Sequence, residues 1–237
     1  MTEPLSVLAQ IEIHDRSGDA SCEQANDLFC PGWAIENFDR YVDPTLEHLV
    51  LVGASMAAGF TIAFALALLA HRFNWLSTPF LAATGVLYTV PSIAFFFLLL
   101  PITGLGRTTA IIALTAFTLQ ILFRNIVTGL NGVPGEVKDA GRGMGLSDRQ
   151  LLWRAELPLA VPEIFAGLRI ATVSTVALAT LAVFANGGGL GVPIYEQIEF
   201  KTNIIVAGGL CMLMAILFDV ALLLVQRALT PWLRVAR

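Results

Sequence analysis

LEHLVLVGASMAAGFTIAFALALLA, residues 46–70, carries no acidic or basic side chain after Glu47 and His48. As an α-helix it would be about 37 Å long, enough to cross a hydrocarbon core of about 30 Å. Lipid offers nothing to hydrogen-bond an exposed peptide group, so a stretch like this crosses as a helix. The rest of the chain extends the pattern. Further apolar stretches run from about Leu76 to Leu100, Thr108 to Leu130, Ile164 to Phe184 and Ile204 to Leu229. They predict an all-α membrane protein with five transmembrane helices. Pro79 lies near the start of the second stretch and Pro91 lies inside it, where a missing N–H and a bulky ring kink a helix.

Composition agrees. Of 237 residues, 56% are hydrophobic and 14% charged, too few charges to cover a soluble domain of this size. The net charge of -4 reflects acids gathered before residue 48, against Arg16 and Arg40 as the fixed positive charges there. No basic cluster with interleaved aromatics suggests a nucleic-acid partner. The start, Met1-Thr2-Glu3-Pro4, has no positive n-region and no apolar h-region, so no cleavable signal peptide is expected.

Lys and Arg concentrate in loops on the cytoplasmic side. With the C-terminus inside, that side receives Arg72, Arg124, Lys138, Arg142, Arg149, Arg154, Arg169, Arg227, Arg234 and Arg237, and the outside receives Arg16, Arg40, Arg107 and Lys201. The expected topology is N-out, C-in. It divides the chain into an extracytoplasmic acidic segment (1–45), a transmembrane domain (46–230) with a long cytoplasmic loop (131–163), and a cytoplasmic tail (231–237). Cys22 and Cys30 are spaced closely enough for a disulfide in an oxidising compartment, though two free thiols fit the spacing equally. Cys211, within an apolar span, reads as a small packing residue.

The long loop has local order. Pro134 precedes a helical stretch, Glu136 to Arg142, and Gly143-Met144-Gly145-Leu146 interrupts it. Ser147-Asp148-Arg149-Gln150 then reads as a capping box. It opens a second helix to about Glu156, which Pro158 and Pro162 are expected to end. The result is a helix–turn–helix elbow at the membrane surface, offering Leu146, Leu151, Leu152 and Trp153 for contact.

This loop resembles that of permeases of ATP-binding-cassette (ABC) importers, written EAA, three residues, G, nine residues, I-x-L-P. Here Asp139-Ala140-Gly141 is followed by Gly145 and by Ala155-Glu156-Leu157-Pro158 at the same spacing, with Asp139 for Glu, Gly141 for Ala and Ala155 for Ile. Tyr88-Thr89-Val90-Pro91-Ser92, Leu122-Phe123-Arg124-Asn125 and Ala166-Gly167-Leu168-Arg169 are similar to permeases for glycine betaine, choline and carnitine. The resemblance spans about Leu46 to Leu229. It implies a type I, methionine-importer-like permease fold in a bacterial inner membrane. It also implies ATPase subunits that bind ATP and Mg, an extracytoplasmic solute-binding protein, and a second permease subunit, identical or homologous. Asp139, Ala140, Gly141, Gly145, Leu146, Leu151, Leu152, Glu156, Leu157 and Pro158 would then couple to the ATPase. A permease of this fold for an amino acid is the alternative. No GxxxxGK[ST] loop is present, so no catalysis or cofactor is expected in this chain itself.

Five other features stand out. Gly187, Gly188, Gly189 and Gly191 follow the fourth span; they fit an outer gate and equally a tight re-entry loop. Asp219 is an acid well inside a span and needs a partner, for which Arg169 is available. Tyr88, Phe95, Phe96 and Phe97 could face a quaternary ammonium, but lipid-facing or core roles suit them as well. Trp33, Trp75 and Trp232 read as interfacial anchors. His48 and His71, at opposite ends of the first span, are too far apart to share a metal, and none is expected. A membrane-embedded enzyme would need a catalytic cluster such as HExxH, which is missing, and an ion-driven transporter would have no use for the elbow.

Overall fold

The first span is one uninterrupted helix, α2 (Val42–Arg72), preceded by the short α1 (Pro31–Glu36) and a 3-10 turn at Phe38–Tyr41. The computed structural model describes residues 25–234, and among them all regular structure is helical. Small residues dominate the inner stripe of α2: Ser55, Gly59, Ala63, Ala67 and Ala70 recur every three or four positions and are buried. A stripe without bulk lets a neighbouring backbone come close. The neighbour is α5 (Arg107–Asn131), which lies at the centre of the bundle with twelve buried residues.

Between them the second span is broken. It consists of α3 (Ser77–Thr89) and α4 (Ser92–Thr103), which meet at 99°. Pro91 supplies the physical cause. Its ring disfavours helical geometry at the preceding residue, and Val90 is extended at φ -66°, ψ 128°. The expected kink is thus a full corner. Pro79 sits in the first turn of α3, where no N–H is needed, and disturbs nothing.

The elbow helices are α6 (Gly135–Gly143) and α7 (Asp148–Leu151). One expectation fails here. Pro158 and Pro162 do not end the second elbow helix; a π-helical turn, Leu152–Glu156, leads directly into α8 (Leu157–Ala179). The whole run Asp148–Ala185 forms one apolar spanning element. In an α-helix Pro158 would press on the carbonyl of Arg154, four residues back; the wider π turn loosens the ladder there. Pro162, four residues further on, leaves only the carbonyl of Pro158 without its donor. The fourth span therefore starts a turn or two before Ile164.

Beyond α8 a 3-10 segment, Thr180–Ala185, leads to the glycine loop, α9 (Gly191–Glu196) and α10 (Lys201–Leu229). Among the described residues, four helices are long and apolar enough to cross a membrane, and the bent pair α3–α4 makes a fifth if it counts as one span. The core falls into two clusters. One, toward the glycine loop, holds Leu51, Phe95, Phe96, Leu114, Phe117, Val176 and Leu190. The other, toward the elbow, holds Leu122, Phe123, Ile126, Leu157, Ile164 and Ala171.

Candidate functional site

The elbow is a built unit. α6 closes with Gly145 at φ +82°, the Gly145 N–H bonding Arg142 O at 2.9 Å and the Leu146 N–H bonding Gly141 O at 3.1 Å. These two bonds make a Schellman stop, which needs a residue in left-handed geometry and so favours glycine. The expected capping box is present. Ser147 Oγ accepts from the Gln150 N–H at 3.4 Å, and the Ser147 N–H donates to Gln150 Oε1 at 2.9 Å.

Leu151, expected at the contact surface, is buried within the elbow instead. A Cβ on Gly141 would stand 2.5 Å from Leu151 Cδ1, so glycine in place of the motif's alanine makes room for that methyl group. Leu146 and Leu152 are half-buried, whereas Met144 (76% exposed) and Trp153 (53%) present the apolar outer surface. Asp139 and Ala140 lie exposed on α6, with Asp139 3.7 Å from Arg142.

Glu156, expected among the residues that couple to the ATPase, is buried and anchors the elbow from within, a role that the sequence did not indicate. Its Oε2 lies 2.7 Å from His71 Nε2 and 3.9 Å from Lys138 Nζ. One carboxylate thus holds the end of α2 and α6 against the π turn. No sequence signal joins positions 71, 138 and 156, which meet only through the fold. Leu157 is buried and Pro158 half-buried in the first turn of α8. A cavity of about 470 Å³ opens beside this cluster, lined by His71, Arg72, Arg142, Arg149, Leu152 and Glu156 among others.

At the opposite end, the glycine loop is pinned by the start of the first span. Glu47 Oε2 accepts from the Gly189 N–H at 3.0 Å and its other oxygen pairs with Arg107 at 3.0 Å. His48, fully buried, accepts from the Leu190 N–H on Nδ1 at 3.2 Å. Its Nε2 lies 3.0 Å from the Val176 carbonyl and must therefore carry the proton. Gly188 and Gly189 have φ of +82° and +88°. A Cβ on Gly187 would crowd Ala110, one on Gly188 would strike the Glu47 carboxylate, and one on Gly191 would run into the Thr180 carbonyl.

Above this loop, residues before the first span form a cap. Cys30 N–H donates to Thr202 Oγ1 at 3.0 Å, Arg40 to Gln197 at 3.1 Å and the Tyr41 hydroxyl to Asn203 at 2.5 Å. Trp33, expected as a membrane anchor, packs edge-on against Phe200 at 4.7 Å with Arg40 over its ring. Cys30 is buried and disulfide-bonded. Cys22, its anticipated partner, lies outside the described residues. Cys211 is free and buried.

Arg169 and Asp219 meet as a two-pronged ion pair, Nε to Oδ1 at 2.6 Å and Nη2 to Oδ2 at 2.8 Å. Of the aromatic candidates, Tyr88 and Phe95 meet at Phe117, both edge-on to its ring. Phe95 and Phe96 are core residues, while Phe97 packs on Phe184. No group of three metal-ligating side chains is found among the described residues.

Residues 56–235 match the family described as binding-protein-dependent transport system inner membrane component. The chain is 34% identical over 206 residues to the osmoprotectant import permease protein OsmW of Salmonella typhimurium, covering 84% of this chain and 96% of that protein. It is 31% identical over 189 residues to the choline transport system permease protein OpuBB of Bacillus subtilis (79% and 87% covered). To the carnitine transport permease protein OpuCB of Listeria monocytogenes it is 31% identical over 198 residues (83% and 91%). The fold is similar to a chain of the MetNI methionine ABC transporter in an inward-facing conformation, with a TM-score of 0.72 at 22% identity, covering 80% of this chain and 96% of that one.

Proposed function

The chain belongs to the binding-protein-dependent transport system inner membrane components, as a multi-pass ABC importer permease of the osmoprotectant type, and on that footing we propose that it carries a small quaternary amine such as glycine betaine, choline or carnitine. A solute-binding protein delivers the solute on the side of the glycine loop. Two ATPase subunits bind ATP and Mg and seat the elbows of this chain and a second permease. The relatives named for osmoprotectants favour this solute class over an amino acid. The excess of Lys and Arg around the elbow supports an N-out, C-in orientation.

The observation that carries the coupling role is mechanical. The elbow closes on itself through Leu151 and Gly141, shows Met144 and Trp153 outward, and continues through the π turn into the fourth span. A push on its surface is therefore delivered to a transmembrane helix without a flexible joint. Exposed apolar side chains of this size are suited to anchoring in a partner's pocket.

The test uses the complex reconstituted in proteoliposomes with its ATPase and binding protein. Met144→Asp with Trp153→Asp should abolish solute uptake and solute-stimulated ATP hydrolysis while the permease still folds, because both side chains point away from the core. Normal coupling in that double variant would refute the assignment.

A further inference from the structure

The Arg169–Asp219 pair joins α8 to α10 partway along both helices, at the surface of the bundle and outside its packed core. Arg169 is about 18 Å along the helix from Leu157, and Asp219 about 15 Å from Leu229, so both fall near the middle of a layer about 30 Å thick. Each is nevertheless one-third exposed, at 33% and 32%. An ion pair at that depth turns toward protein or water, since hydrocarbon solvates neither charge.

The surroundings give the pair a site. A cavity of about 430 Å³ adjoins it, lined by Ala166, Arg169, Ile170, Val173, Ser174 and Asp219. The other groove along the same two helices is different. Leu168, Thr172, Phe218 and Leu222 face Val52, Gly53, Met56, Ala57 and Phe60 there, with no charge at all. The α8–α10 pair therefore has one lipid-compatible side and one that is not. Within the pair, Arg169 uses Nε and Nη2 on Asp219, which leaves Nη1 free to donate.

Resting on the importer reading above, we propose that the Arg169–Asp219 cavity is a station on the solute route for a small zwitterion. The solute's carboxylate takes the guanidinium, and its cationic end takes the Asp219 carboxylate. The two charges of the site compensate each other while it is vacant, so neither stands unpaired near the bilayer midplane before a solute arrives or after it leaves. A solute bearing both signs exchanges for the internal pair with no net change of charge.

Two single-cysteine variants of the assembled complex, Ser174→Cys in the cavity and Ile62→Cys on the exposed face of α2, test the idea with a water-soluble, membrane-impermeant thiosulfonate. Ser174→Cys should react about tenfold faster or more, because the reactive thiolate forms only in contact with water. Equally slow reaction at both positions overturns the proposal. Millimolar glycine betaine should slow labelling at Ser174→Cys, and should lose that effect when Arg169→Gln and Asp219→Asn are added together. No protection, or protection that survives the neutral pair, overturns it, since a merely structural pair would leave labelling indifferent to solute. ATP-driven uptake in the same preparation separates the two levels. Uptake of glycine betaine without protection removes this site alone; absence of uptake removes the solute assignment and this site with it.

Discussion

The elbow and the glycine loop are both turns rich in glycine at the ends of the same helix run, yet they are held in opposite ways. In the elbow, apart from the Glu156 contacts with His71 and Lys138, what fixes the chain is near in sequence: the Gly145 stop, the Ser147–Gln150 cap and the Leu151–Gly141 contact all fall within residues 141–151. Around Gly145 there is open space, and its glycine answers only to backbone geometry. In the glycine loop the partners come from about 140 residues away, with Glu47 and His48 supplying the acceptors. A region held mainly by its own contacts can move largely as a body; one whose turn is pinned to another span moves only with that span. The elbow is thus suited to being pushed, and the loop to holding the far end of the first and fourth spans in register.

Three changes would break or sharpen this contrast. The largest effect is all-or-none and concerns which side each region faces. In intact cells an impermeant thiol reagent should label Ile198→Cys beside the glycine loop and should reach Met144→Cys in the elbow only after permeabilisation; the reverse pattern would invert the topology. Next comes Gly191→Ala. Its Cβ meets the Thr180 backbone, which cannot swing aside as a side chain can, so a loss of about 3 kcal/mol is expected. For a chain of this size that lowers the melting temperature by on the order of 10 °C, measurable on the detergent-solubilised permease. Smallest is Gly145→Ala, where no atom is struck and only the positive φ is penalised, by about 1–2 kcal/mol. Gly145→Asn should recover part of it. If Gly145→Ala proves as damaging as Gly191→Ala, the distinction between a largely self-contained elbow and a cross-tied loop is lost.

The same contrast explains what could be read in advance. The capping box and the glycine stop obey rules acting over four or five residues, and the spans follow from unbroken apolar runs of about 20; each was visible in the letters. The Arg169–Asp219 pair was accessible because an acid so deep in an apolar run demands a cation. Pro91 announced a bend, but not its 99°, which depends on how α3 and α4 each pack. The burial of Leu151 was hidden, since an apolar residue on an amphipathic helix reads alike whether it faces a partner or its own neighbour. Prolines 158 and 162 misled for a related reason. Their cost is local, but the π turn and the packing of α8 against α5 absorb it. Glu156 with His71, and Glu47 with Gly189, join segments far apart in the chain and leave no mark in it.

The π turn at Leu152–Glu156 has a geometric consequence for the two halves of the run it joins. Its i→i+5 bonding fits one more residue into a turn, and one residue of an α-helix subtends about 100°. Everything downstream is rotated by about that phase slip relative to an unbroken α-helix begun at Ser147. The azimuth that seats Leu151 on Gly141 and the azimuth that aims Arg169 at Asp219 are thereby set independently, as two cams on one shaft can be keyed at different angles.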